Sequence, residues 1–234
     1  MKILIIRHAE PDYSIDSLTE KGWREANLLA DMLVKQHIDD FYLSPLGRAQ
    51  ATARPTLERL GRTGETLTWL REFEGRYTST HTGELRRSWD LMPSVWCREE
   101  TAFHPTKWTE LPLYGEQNTV AENYAMVAAG VDELLARYGW QRDGHLWRGG
   151  EDKTIALICH FALGMAVFAH LMGMSTVVAQ NNFYLAPSSV TALVTETDGD
   201  GNSHFRATSV GDISHLYAGG EPMSLSGLYP PFDD

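Results

Sequence analysis

The sequence predicts an α/β fold: a three-layer α/β/α sandwich with a mainly parallel central sheet and an irregular lid insertion. Three observations lead there. Residues 3–6 and 154–159 are short continuous apolar runs, the pattern of strands covered on both faces. Each is followed by a stretch with helical spacing of apolar residues, and alternating strands and helices give a parallel sheet with helices on its faces. Between them, residues 76–118 show no periodicity and hold Trp89, Trp96 and Trp108 among scattered prolines. Long irregular insertions in compact domains are usually lids or binding loops.

The elements follow in order. Residues 3–6 form the first strand. Ser17 and Glu20 stand at capping-box spacing and open an amphipathic helix running through Lys35, with Leu29, Met32 and Leu33 on its apolar face. Residues 40–43 read as a second strand ended by Ser44-Pro45. A helix from 46 to 60 follows, which Pro55 should bend. Thr119 and Glu122 repeat the capping-box spacing before a long helix to Tyr138. Residues 154–159 form a strand and 161–172 a buried helix. Residues 190–195 and 204–210 pair as a hairpin across Asp198-Gly199-Asp200-Gly201-Asn202. The reading is one domain over residues 1–234, with a lid over about 76–118 and a Gly/Pro-rich acidic surface tail over about 219–234.

Composition removes several classes. The 234 residues carry a net charge of −11, against a nucleic-acid surface, which needs a basic stripe. A few arginines in one cleft still suffice for an anionic substrate. The longest apolar stretch, 161–174, is too short for a bilayer, and the apolar run at 3–6 is too short for a signal peptide. No membrane contact is expected. Cys97 and Cys159 match no zinc or redox spacing, and a reduced cytoplasmic protein is expected, although the two could pair. The segment from Asp198 lacks the turn glycine and final glutamate of a calcium loop, and no Gly-rich nucleotide loop exists. No metal and no cofactor are expected.

Ligand sites in open α/β sheets lie beyond the carboxyl ends of the strands. The first strand runs into Arg7-His8, the strand at 154–159 runs into His160, and the strand at 40–43 leads to Arg48. A lone strand-end histidine is usually a hydrogen-bonded residue with no chemical role. Two of them, with two arginines at matching strand ends, form a crevice suited to phosphate oxygens. A neutral imidazole there is a competent nucleophile. The residues read as a phosphoryl pocket.

Arg7-His8-Ala9-Glu10, Leu18-Thr19-Glu20-Lys21-Gly22, Ser44 through Ala53, Leu70-Arg71-Glu72 and Ile158-Cys159-His160 occur in one order. Together they resemble the histidine phosphatase (phosphoglycerate-mutase-like) superfamily. The resemblance implies His8 as the nucleophile that becomes phosphohistidine. Arg7, Arg48 and His160 would bind the phosphoryl oxygens, and Glu72 would act as acid and then base; Glu74 is the alternative acid. Glu10 and Ser14 are counted among substrate contacts, although Ala9, Pro11 and Ser14 depart from the family's usual Gly, Thr and Asn. Arg86, Arg87 and Trp108 of the insertion are expected to read the rest of the substrate. The implied function is a metal-independent phosphatase acting on a small phosphomonoester through phosphohistidine. The alternatives are a phosphoglycerate-mutase-type phosphotransferase and a non-catalytic phospholigand-binding protein. The sequence leaves both a monomer and a homodimer open.

Overall fold

The computed structural model describes residues 1–79, 82–89, 91–115 and 119–226. Along the chain, strand β1 (Lys2–Arg7) leads into a small ribbon of β2 (Pro11–Asp12) and β3 (Ser17–Leu18), then helix α1 (Glu20–Leu33). Strand β4 (Asp40–Leu43), helix α2 (Gly47–Leu60) and strand β5 (Glu65–Thr66) follow. The insertion contains a second ribbon, β6 (Arg76–Thr78) with β7 (Leu85–Arg87), and two short helices, α3 (Pro93–Trp96) and α4 (Glu100–Phe103). Helix α5 (Val120–Ala136) returns to the sheet through a hairpin, β8 (Trp140–Asp143) and β9 (Leu146–Gly149). Strand β10 (Thr154–Cys159), helices α6 (Phe161–Met172) and α7 (Thr176–Asn182), strands β11 (Val190–Thr197) and β12 (Asn202–Asp212), and helix α8 (Ser214–Gly219) complete the order.

Eight strands form one sheet in the order β5-β4-β10-β1-β11-β12-β9-β8. The strands β5, β4, β10 and β1 are parallel, as the sequence predicts for the core. Beyond β1 the sheet turns antiparallel through β11, β12, β9 and β8. Period-two alternation in β1 divides its residues between two layers. Ile3 and Ile5 join the core with Val131, Leu134 and Val167 of α5 and α6. Leu4 and Ile6 join the opposite core with Leu29 and Leu33 of α1 and Ala49 and Ala53 of α2. Helices therefore cover both faces.

Two expected caps take other forms. Thr19, not Ser17, caps α1, its hydroxyl accepting the Gly22 N–H, while Ser17 is part of β3. The Thr119 hydroxyl makes no cap on α5; it accepts from the Arg76 N–H at 3.3 Å and so ties the insertion to that helix. Both cysteines are free, Cys97 exposed and Cys159 buried. Among the described residues no helix is long and apolar enough to cross a membrane. Of the expected tail, residues 227–234 lie outside the described residues.

Candidate active site

The parallel register brings the strand ends level. Arg7 faces Cys159 across β1 and β10, and Ile158 faces Leu43 across β10 and β4, so His8, His160 and Ser44 emerge together. The His8 and His160 rings meet edge to face with centroids 5.1 Å apart. His8 Nδ1 lies 2.8 Å from the Ala9 carbonyl oxygen. That oxygen only accepts, so the proton resides on Nδ1 and the Nε2 lone pair is free. Burial, helped by the Arg7 charge, pushes the His8 pKa down to about 3, so the ring is neutral over the physiological range. His160 is held far below the ordinary imidazole range by burial and by His8 and the arginines. Its Nε2 pairs with the Ser44 hydroxyl at 2.7 Å, and its Nδ1 is buried without a partner.

Each arginine is anchored at one end. The Arg7 guanidinium donates to the carbonyl oxygens of Leu185 and Ser226 and lies against the Phe161 and Tyr184 rings. Arg48 donates through Nη1 to Asp16 Oδ1 at 2.7 Å. In both side chains Nε is buried and unpartnered. Buried donors are seldom left unmatched. Unpartnered buried nitrogens remain on Arg7, Arg48 and His160, the three side chains whose charge or ring contact acts on His8.

Glu72 and Glu74 both line the crevice but are held differently. Glu72 Oε1 accepts from the Phe73 N–H at 2.8 Å and from the Leu163 N–H, in the first turn of α6, at 3.0 Å. Burial nevertheless raises its pKa, those hydrogen bonds and the two arginines opposing. Glu74 is exposed and pairs with Arg71 at 3.1 Å. A cavity of about 370 Å³ has Arg7, His8, Arg48 and Glu72 in its wall, with Trp89 and Phe161 packed edge to face beside them. Among the described residues no group of three or more His, Cys, Asp or Glu is placed to hold a metal ion.

Several expected site residues lie elsewhere. The Glu10 carboxylate is taken up by the hydroxyls of Thr19 at 2.8 Å and Ser224 at 2.6 Å, outside the cavity wall. Ser14 is exposed, its hydroxyl turned onto Asp12. Arg86 points into a separate cavity with Tyr77 and Met92, because cross-strand alternation sends it away from its neighbour Arg87. Trp108 is fully buried against Tyr124 and Trp96 is buried in the same core, so neither ring faces a ligand. Arg87 does reach the cavity mouth, stacked 5.1 Å from the Trp89 ring, with Arg76 directly across the ribbon. Sequence reasoning missed Asp16, Tyr13, Arg76 and Phe161. Only Phe161, directly after a strand-end histidine, carried a positional signal.

Parallel strand ends bring two imidazoles together, with Arg7, His8 and Arg48 in the wall of one crevice of an α/β fold. The chain belongs to the histidine phosphatase superfamily (branch 1), whose family model matches residues 3–207. Phosphoserine phosphatase 1 of Hydrogenobacter thermophilus is 37% identical over 62 residues, 23% of this chain and 29% of that protein. Among solved structures, a phosphoserine phosphatase mutant from Entamoeba histolytica in complex with phosphoserine superposes with a TM-score of 0.62 at 21% identity, covering 92% of this chain and 98% of that one. A mycobacterial glucosyl-3-phosphoglycerate phosphatase gives 0.58 at 23% identity, covering 88% and 96%.

Proposed function

We propose that the protein hydrolyses small phosphomonoesters through a phosphohistidine at His8, without a metal ion. The observation that carries this is a neutral His8 with its Nε2 free, in a crevice walled by Arg7, Arg48 and Glu72 and with the His160 ring against it. The lone pair of Nε2 attacks phosphorus while the Arg7 and Arg48 guanidiniums and the His160 N–H hold the equatorial oxygens, where charge spreads during transfer. Glu72, whose pKa burial raises, gives its proton to the departing alkoxide oxygen. The resulting carboxylate then takes a proton from the water that attacks the phosphoimidazole, releasing inorganic phosphate and restoring His8.

The organic part of the substrate carries a second anionic group. Arg76 and Arg87 face each other across the β6–β7 ribbon at the cavity mouth, and neither has an ion-pair partner among the described residues. Like charges placed directly opposite are unfavourable, and an anion between them relieves the repulsion. The E. histolytica enzyme has also been solved with 3-phosphoglyceric acid, which, like phosphoserine, pairs a phosphate with a carboxylate.

The test is release of phosphate from a generic aryl phosphate and from a carboxylated phosphomonoester, each with and without chelator. Chelator-resistant hydrolysis of both, with preference for the carboxylated one, is expected. Activity lost to chelator, or binding without turnover, would overturn the reading.

A further inference from the structure

We propose that the loop joining β2 to β3 serves phosphoryl binding indirectly: Asp16 and Tyr13 are positioning residues that hold the Arg48 guanidinium for the incoming oxygens. The inference rests on the phosphoryl reading of the crevice.

Asp16 has a backbone φ of +45°, a conformation that costs energy for a residue with a side chain unless its surroundings hold it there. What holds it is the start of α2. One carboxylate oxygen accepts the Gly47 N–H at 2.7 Å, and the other accepts Arg48 Nη1 at 2.7 Å. A Cβ at position 47 would lie 2.1 Å from the Asp16 carbonyl oxygen, so glycine is what permits the approach. Burial favours the neutral acid, but the hydrogen bonds from Gly47 and Arg48 outweigh it and keep Asp16 anionic at neutral pH. On the cavity side, the Tyr13 ring lies 5.4 Å from the guanidinium carbon of Arg48.

Arg48 is thus fixed at its Nη1 end and across one face, while its buried Nε is left without a partner. The clamp has a reason to exist. Arg7 and Arg48 are like charges beside one imidazole, and an unanchored Arg48 gains by swinging towards water. The loop's other polar groups do not substitute, since Ser14 and Asp12 are engaged with each other. The loop acts on the phosphoryl group through Arg48, with Tyr13 as its one side chain in the cavity wall.

The experiment is a double-mutant cycle read by calorimetric binding of inorganic phosphate and by kcat/KM on an aryl phosphate. Asp16→Ala is expected to weaken phosphate binding roughly 10- to 100-fold, the scale of a guanidinium displaced by about an ångström. In the Arg48→Ala background the same change should add less than about twofold, because coupled residues are not additive. Asp16→Asn, which tolerates the left-handed backbone but offers one acceptor oxygen to two donors, should recover only part of the loss. If Asp16→Ala fails to fold, the cycle runs on Tyr13→Ala. That ring is 66% exposed, and its removal should weaken phosphate binding by about 2- to 5-fold only when Arg48 is present. Equal losses in both backgrounds, or unchanged phosphate binding, would overturn the clamp. A wild-type protein that binds phosphate yet hydrolyses nothing defeats the hydrolytic reading instead, and the binding cycle still decides the clamp.

Discussion

The floor of the crevice and the β6–β7 ribbon that lines its mouth differ in how each holds its charged side chains. On the floor, every charged group has a fixed anchor: Arg7 on two backbone carbonyls, Arg48 on Asp16, Glu72 on two backbone N–H groups. At the mouth, Arg76 and Arg87 have no ion-pair partner among the described residues, and Arg87 rests only on the Trp89 face. Groups that act on the reacting atoms gain from being preorganised, since each degree of freedom lost in advance lowers the barrier. Groups that read a variable organic part need room to adjust. The interior of the insertion belongs with neither: Trp96, Trp108 and Tyr114 are core.

The comparison breaks most sharply at the nucleophile. His8→Ala should abolish covalent phosphate labelling and reduce turnover by a factor on the order of 10⁶, the scale seen when a covalent nucleophile is removed. Thermal unfolding should barely change. An acid-labile phosphoenzyme on any other residue ends the assignment of the floor.

Glu72→Gln comes next. It should slow hydrolysis of alkyl phosphates by about 10²- to 10⁴-fold and of aryl phosphates far less, because a phenolate leaves without much protonation. Glu74→Gln should behave as wild type. The pH profile adds a second check. Protonation should inactivate His8 only as pH falls towards about 3, whereas activity on alkyl phosphates should be lost as pH rises through the raised Glu72 pKa. In Glu72→Gln the loss at the alkaline side should vanish; its persistence would reassign the acid.

Within the insertion, Trp108→Ala should destabilise the fold by roughly 3–5 kcal/mol, as removal of a large buried aromatic does. Relative kcat/KM among substrates should stay constant in denaturant-free buffer. A shifted ratio at unchanged stability would return Trp108 to the ligand. The smallest effect belongs to the mouth. Arg87→Ala should lower kcat/KM for a carboxylated phosphomonoester roughly 10- to 100-fold, the value of one ionic hydrogen bond. An aryl phosphate without a second charge should be nearly unaffected, and equal loss on both would make Arg87 part of the floor.

The floor was legible where a short apolar run fixes a strand end. Residues 3–6 and 154–159 read as buried strands, so whatever follows them lies at the carboxyl edge of the sheet, and His8 and His160 are found by counting. Arg48 follows from the next strand in the same way. Asp16 was not legible, because Arg48 is 32 residues away and the Asp16 backbone conformation is held by contacts with Gly47 and Arg48 at the start of α2. The antiparallel half of the sheet was only partly visible. The β11–β12 hairpin announces itself by its turn, but nothing local says that β11 runs against β1, and the β8–β9 hairpin is too short to stand out. A tryptophan in an aperiodic stretch reads the same in a lid as in a core. Trp108 is decided by Tyr124 on α5, and Arg86 against Arg87 by which one lies on the cavity side of a two-stranded ribbon.

The hydrogen bond from His8 Nδ1 to the Ala9 carbonyl oxygen also bears on how long an intermediate lives. Under the proposed mechanism the Nδ1 proton never leaves, so phosphorylation at Nε2 gives a ring substituted on both nitrogens and therefore cationic. When water attacks phosphorus, the group expelled is a neutral imidazole rather than an imidazolate. The intermediate is an activated one, with a leaving group that needs no proton of its own. Glu72 is then left with a single task in the second half-reaction, the deprotonation of water. A backbone carbonyl, which no side-chain substitution removes, thereby sets the lability of the P–N bond.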